Sequence, residues 1–423
     1  MDATTILIVS LPPKTFIGLD LVSFTSSPKF HGITKVPPGL HFLYTGTDAS
    51  LSIRHGRWLH VVPNTTQPLV LQWDAATETL DLLDPNCPPA RSAINSLSSR
   101  GLVDYTALQD ATSDLASRDA SAANSPTHDA ETGDDESADS TDWPSLISHI
   151  SRPLLTRVLS TDWAISSISS APSDTESIPG LSHLEASNAL HQSPLNLVPV
   201  NLKQTWSDAD IGRTRTDRAR DRSWYLSHLI DTVTPAGKDK AVGAREILGE
   251  VQFCFLMVLT LANYSCLEQW KRLLNVLLSC QAALDEVQGF FVEVVRVLAM
   301  QVRHFDDVEG GMFEMRDEGG SAWLRSVWGR FGAVVEDALS RGKDEAEGEG
   351  KGKETSKVGE QGLKKEVENL QRLFEEKYGW ASEKDVLRRG MLELEDGERI
   401  EVSMAGVDED EETGEYAPLI VDT

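Results

Sequence analysis

Ten histidines, four cysteines and 66 acidic residues are the raw material for catalysis or metal binding, but their spacing does not assemble either. His41 and His60 fall in segments of strand character with no further ligand at metal-binding spacing, so both read as satisfied fold residues. Glu246 and Glu250 stand four apart on one helix face, yet no histidine or second carboxylate pair joins them to orient a base. Cys87, Cys254, Cys266 and Cys280 form no CxxC pair, and three of them lie in apolar helices where a thiol acts as a small hydrophobe. The stretch GEGKGKET (348–355) approaches a phosphate loop, but Glu354 stands where Ser or Thr is needed and no strand precedes it. No G-x-S-x-G raises a nucleophilic serine. The expectation is a binding protein with no catalytic residue, cofactor or metal.

The densest cationic run is GRTRTDRARDR (212–222), five Arg and two Asp ahead of Trp224 and Tyr225. Arginines beside aromatic rings suit single-stranded RNA. Asp217 and Asp221, however, are placed to pair with arginines at i,i+4 along a helix. A salt-bridged helix start and an RNA-binding or general protein-interaction adaptor surface over 213–222 both stay open.

The elements that must position these residues are of two kinds. Residues 4–84 read as β structure: 4–11 is β-branched and stopped by Pro12-Pro13, and 40–45 (LHFLYT) follows a Pro37-Pro38-Gly39 turn. Strands at 58–62, 69–73 and 79–83 follow, the last two framing a hairpin turn at 74–78. Helices dominate later, at about 217–231, 245–262, 266–280, 283–304, 321–339 and 363–378. From Ile247 to Leu261 only Gly249, Glu250, Gln252 and Thr260 interrupt an apolar run, the pattern of a helix buried all round. In 267–278, Trp270, Leu273, Leu274, Leu277 and Leu278 make one apolar face. The fold class expected is α+β and multidomain: a β-rich sandwich or barrel-like domain, an all-α domain and a flexible acidic tail.

Boundaries follow from composition. The β-rich domain covers 1–100, an acidic disordered insert 101–142, and a helix packing on the first domain 143–165, around Pro153. A Ser/Pro-rich linker covers 166–200, the helical domain 201–340, a Gly/Lys/Glu linker 341–361, a C-terminal helix 362–382 and an acidic extended tail 383–423. The net charge of -27 is uneven, since 104–142 and 383–423 together hold about -20 of it. Such a balance argues against general affinity for nucleic acid or anionic membrane, so neither contact is expected. The opening MDATTILIVSLPP has no basic leader region, and no apolar run approaches the about 20 residues a membrane span needs. The sequons at Asn64 and Asn263 therefore read as accidental, and the thiols fit a reducing compartment.

Three blocks together carry a resemblance: GLDLVSFTSSPKFHGITKVPPGLHFLYT (18–45), EILGEVQFCFLMVLTLANYSCLEQWKRLLNVLL (246–278) and LQRLFEEKYGW (370–380). The chain resembles the AAR-two splicing factor family, of fungal type. The resemblance implies a VHS-like helical domain and no enzymatic activity. It further implies a chaperone of U-five small nuclear ribonucleoprotein assembly in pre-mRNA splicing. The implied partner is the particle's large scaffold protein, of the Prp-eight type, bound through its RNase H-like and MPN domains. Binding would hold a cytoplasmic precursor apart from its helicase and from RNA until the factor leaves in the nucleus. Cytoplasmic and nuclear localisation and a monomeric free state are the matching expectations. Within the W-KRLLN pattern, Trp270, Lys271 and Arg272 are a candidate partner-binding element.

The tail offers a second candidate. In MLELEDGERIEV (391–402), apolar Leu392, Leu394, Ile400 and Val402 alternate with charged residues around an Asp396-Gly397 turn signal. Met391, Leu392, Leu394, Ile400 and Val402 are expected to bind a partner's sheet edge by strand addition. Serines beside acids in 166–182 are candidate phosphorylation sites for regulated release.

Overall fold

The computed structural model describes residues 3–48, 52–65, 67–96, 101–110, 142–172, 174, 194–305, 322–346, 354–380, 389–393 and 399–403. The protein is α+β and multidomain, and its two compact units do not part at a single point of the chain. One comprises Met1–Leu197, Gly249–Glu268 and His304–Met312; the other comprises Val198–Leu248, Gln269–Arg303 and Phe313–Thr423. Of the expected disordered insert over 101–142, residues 101–110 instead form a strand and a helical turn, because they pair with the sandwich, while 111–141 and most of the 166–200 linker lie outside the described residues.

The strands are β1 (Thr4–Val9), β2 (Phe16–Leu19), β3 (Val22–Thr25), β4 (Phe30–Val36), β5 (Gly39–Gly46), β6 (Arg54–Val61), β7 (Leu69–Asp74), β8 (Thr79–Leu82), β9 (Gly101–Asp104), β10 (Ala164–Ser166), β11 (Arg389–Glu393) and β12 (Arg399–Ser403). The helices are α1 (Pro88–Asn95), α2 (Trp143–Leu146), α3 (Arg152–Leu159), α4 (Arg213–Arg220), α5 (Ser223–Val233), α6 (Lys240–Leu261), α7 (Tyr264–Leu277), α8 (Ala282–Glu286), α9 (Gln288–Arg303), α10 (Ala322–Ala346) and α11 (Glu354–Tyr378).

Ten strands form a sandwich in the first unit, one sheet in the order β8-β7-β1-β4-β9 and the other β10-β6-β5-β2-β3. Ile6, Ile8, Ile33 and Leu71 of the first sheet meet Ile17, Leu19, Leu43 and Leu59 of the second in the core between them. Strand alternation sends the intervening residues outward, yet these are buried as well. Leu7 and Val70 pack with Ala90 and Ala93 of α1. On the other outer face, Phe42 lies 5.2 Å from Trp58, and Trp58 stacks on Trp143 of α2 at 5.9 Å and on Phe253 of α6 at 6.3 Å. Covering both faces explains why LHFLYT reads as a continuous apolar run rather than an alternating one.

Residues 249–268 of α6 and α7 thus complete the β-rich unit, and each polar interruption of the apolar run has a task there. A Cβ on Gly249 would lie 2.5 Å from the His149 carbonyl, so the glycine permits close approach. Gln252 accepts from the His149 N–H at 2.8 Å and donates to the Ser145 carbonyl at 2.9 Å. Glu250, wholly buried, is bound by Arg157 Nη2 at 2.7 Å. The Thr260 carbonyl accepts from Arg54 Nη1 at 3.0 Å. At the corner after α6, Asn263 donates to the Ser166 and Ser169 carbonyls, both at 2.8 Å, and accepts from the Cys266 N–H at 2.9 Å. Asn263 is wholly buried, which removes its sequon from use in the fold.

The second unit packs its helices through aromatic rings with satisfied polar ends. Trp270 and Trp328 donate their indole N–H groups to Gln301 and Gln371, each at 2.8 Å. Phe374 of α11 stacks on Trp380 at 4.6 Å. Lys377 closes the end of α9 by donating to the Val302 carbonyl at 3.1 Å, where a cation also suits the helix dipole.

Several elements differ from expectation. Pro153 does not lie in the middle of one helix over 143–159; Ser151 caps the start of a separate α3 by accepting from Leu154 N–H at 3.2 Å, and the proline occupies its first turn, where its missing N–H costs nothing. Residues 213–233 form two helices rather than one, because Asp221 leaves the helical conformation (φ -107, ψ 106). The backbone of α10 and α11 runs into 341–361 from both sides, as its Glu and Lys content favours. The start of 166–200 is packed: Ser166 is wholly buried and Ala171 nearly so. Strands β2, β3, β4, β9 and β10 add to those read from the sequence.

Asn263→Ala should destabilise the full chain by about 2–4 kcal/mol, since it strips a buried amide of three partners. Ile211→Ala, at an 82% exposed side chain, should stay within about 0.5 kcal/mol. Urea denaturation followed by tryptophan fluorescence checks both; equal midpoints would show that the corner is not a principal support.

Candidate functional site

Among the described residues one cluster has the outline of a catalytic triad. Asp20, in the two-residue turn between β2 and β3 at φ 60, approaches His41 Nδ1 at 2.7 Å and accepts from Tyr105 Oη at 2.6 Å. Its other oxygen accepts from the Phe42 N–H at 2.8 Å. His41 Nε2, the atom a base would turn towards substrate, points instead at the Pro37 carbonyl, 2.9 Å away. With an acceptor at each ring nitrogen, both nitrogens must donate, so the ring is held as imidazolium and has no free base position. Burial alone pulls the His41 pKa down, but the Asp20 charge and hydrogen bond, with the Pro37 carbonyl, raise it above 6.5. Burial and then Asp20 push the Tyr105 phenol up. The cluster is a strut between strands, and it puts His41 in the structural class expected of it.

Other candidates are likewise engaged in structure. The thiols of Cys254 and Cys280 are pushed up chiefly by burial and stay protonated, the opposite of a nucleophile's environment. No group of three or more His, Cys, Asp or Glu suited to a metal occurs among the described residues. No helix there is long and apolar enough to cross a membrane. A cleft of 220 Å³ runs beside β6 and β8, but Arg57 already spends its donors on the Leu80 and Asp162 carbonyls and on Asp81.

The arginine-rich run forms a clasp. Arg213 pairs with Asp217 at 3.8 Å, the i,i+4 contact expected along α4. Arg218 binds Asp210, and its guanidinium lies 4.5 Å from the Trp224 ring; Arg215 covers Trp206 at 4.5 Å. Arg222 turns inward to the Asn275 carbonyl at 3.2 Å. Asp221 departs from expectation: it accepts from the backbone of Ser223, Gln281 and Ala282 at 2.9–3.0 Å, fastening the starts of α5 and α8. Backbone donors at helix starts outcompete a solvated arginine.

Of the sequence-derived partner residues, Trp270 is corrected. It is 1% exposed, donates to Gln301 and meets Trp323 edge-on, so it serves the core rather than a surface. Lys271 and Arg272 are half-buried. In the tail, β11 and β12 pair antiparallel, with Leu392 opposite Ile400, Gly390 opposite Val402 and Met391 opposite Glu401. This register places Leu392, Ile400 and Val402 on one face and Met391 on the other, with Glu401. Leu394 and the Asp396-Gly397 turn lie outside the described residues. Of the serines in 166–182, Ser166 and Ser169 are buried and Ser167 donates to the Leu261 carbonyl at 2.7 Å, which corrects their candidacy for phosphorylation in the folded protein. Sequence reasoning missed Asn263 as the corner's support; its place directly after an apolar run was the available signal.

A β sandwich completed by helices, a helical unit and a two-stranded tail sheet define an α+β protein. The chain matches the AAR2 N-terminal domain over residues 2–160 and the AAR2 C-terminal repeat region over residues 197–383. It belongs to the AAR2 family. Protein AAR2 homolog of Mus musculus is 24% identical over 327 residues, covering 71% of this chain and 76% of the relative. The Homo sapiens homolog is 23% identical over 328 residues, with the same coverage. That of Oryctolagus cuniculus is 23% identical over 308 residues, covering 71% and 72%.

The His41 strut makes stability pH-dependent with a definite sign. Its pKa is raised in the fold, so its contribution is complete below pH 6.5 and is lost as pH rises through the folded value. The unfolding free energy from urea denaturation should fall over that interval with a slope of at most about 1.4 kcal/mol per pH unit. His41→Gln should be less stable at pH 6 and should lack this slope; an unchanged slope would assign it to another group.

Proposed function

We propose that the protein is a non-catalytic assembly factor of the U-five small nuclear ribonucleoprotein. Family membership across both halves of the chain carries the coarser reading, a splicing-related assembly role. The finer reading is that it binds the RNase H-like and MPN domains of the large Prp-eight type scaffold protein, in the cytoplasm and nucleus, as a monomer when free. There it keeps the helicase and RNA from engaging early.

The tail register supports strand addition as the mode of contact. A two-stranded hairpin is marginal by itself in water. An edge of β11–β12 offers backbone groups that a partner's sheet would satisfy, and the register keeps Leu392 opposite Ile400. The RNA-adaptor alternative finds less support, because Arg218 and Arg222 are held by Asp210 and Asn275 and Arg215 lies over Trp206.

Purified full-length protein should co-elute stoichiometrically in gel filtration with a scaffold fragment carrying the RNase H-like and MPN domains. Separate elution at micromolar concentration would refute the proposal. Deleting residues 383–423 should weaken the complex at least about tenfold, the loss of one extended contact of about 1.4 kcal/mol or more, while thermal melting of the remaining chain is unchanged. Undiminished affinity would remove the tail from the contact.

A further inference from the structure

We propose that residues 101–105 form a strap that detaches from β4 ahead of the rest of the sandwich, with Gly101 and Tyr105 as its two fastenings. Strand β9 is four residues long and covers the outer edge of the seven-residue β4. It pairs parallel, whereas β4 joins β1 antiparallel, and its register shifts between Phe30 and Ile33. A short parallel pair at an edge is held less firmly per residue than the ladder behind it.

Its side chains are only partly covered: Leu102 rests on the Leu7, Val70 and α1 cluster and Val103 on the rim of the sandwich core. Gly101 is exposed, and Leu102, Val103 and Asp104 are only half-buried. The ion pair from Asp104 to Lys35, at 2.5 Å, joins partners 28% and 63% exposed, a setting in which such pairs contribute little.

Two further contacts fasten its ends. At its start the backbone passes so close to β4 that a Cβ on Gly101 would lie 2.7 Å from the Lys29 carbonyl oxygen. At its end Tyr105, the one buried residue of 101–110, donates to Asp20 at 2.6 Å and sets its ring edge-on to His41 at 5.9 Å. The hydroxyl thus ties the end of the strap to the β2–β3 turn of the opposite sheet. When the strap lifts, β4 presents its unpaired edge and Phe30 and Ile33 lose their cover, while β1, β5, β6 and β7 keep their own ladders. Strand β9 is therefore the movable guard of an edge that the fold otherwise leaves open to pairing.

Hydrogen–deuterium exchange of the full-length protein tests this with wild type, Gly101→Ala and Tyr105→Phe. Tyr105→Phe keeps the ring and removes only a hydrogen bond to a charged group, worth about 1.5–3 kcal/mol, so exchange at 101–105 should rise about tenfold or more. Gly101→Ala should act the same way from the other end without touching the Asp20 cluster. In both variants β1 and β7 should exchange at the wild-type rate. The strap is refuted if 101–105 exchanges in step with β1 in all three proteins. It is also refuted if both variants speed β1 and β7 equally, since β9 would then open only with the whole sandwich.

Discussion

The structure of the first unit depends on one saturated amide. Asn263 is wholly buried at the corner between α6 and α7, and it holds the Ser166 and Ser169 carbonyls while its own oxygen receives the Cys266 N–H. One side chain thereby starts a helix and anchors the turn beyond an edge strand. Ser167, fixed by that turn, then donates to Leu261 and receives the Arg54 N–H at 2.9 Å. A buried polar group left half-satisfied would cost more than it contributes, so the corner admits few substitutes.

The same rule governs the rest of α6. A helix buried on all sides can carry Glu250 and Gln252 only because Arg157 and the α2–α3 turn meet their charge and hydrogen-bonding capacity. These polar residues give direction to what would otherwise be a featureless apolar rod. They specify which turn lies against which part of the helix. The sandwich needs that helix because its second sheet shows a large aromatic face, Phe42, Tyr44 and Trp58, that water would otherwise meet.

The polar groups with the best outline for chemistry among the described residues are engaged within the fold. His41 is closed by Pro37, Arg57 fills its own cleft, and Asp221 fastens helix starts. The proposed roles of the tail hairpin, and of β4 once β9 lifts, would both place contact with a partner on main-chain groups.

Local pattern determined much of this. Proline punctuation and β-branched runs marked β1, β5 and the β7–β8 hairpin, and apolar spacing marked α6, α7 and the tail strands, because those signals belong to residues near each other along the chain. Strands β2 and β3 escaped notice: four residues such as FIGL or VSFT form a strand only when β5 supplies a partner. The parallel pairing of β1 with β7 joins residues more than sixty positions apart and leaves no local trace. Trp270 and Met391 show the same limit. Periodicity puts Trp270 on an apolar face, but Gln301 and Trp323, from distant helices, make that face core. Alternation puts Met391 and Leu392 on opposite faces of the tail, but only the pairing with β12 sets Met391 opposite Glu401. A sequence states which residues share a face; what covers the face depends on chain that returns from far away, and that is decided by packing in three dimensions.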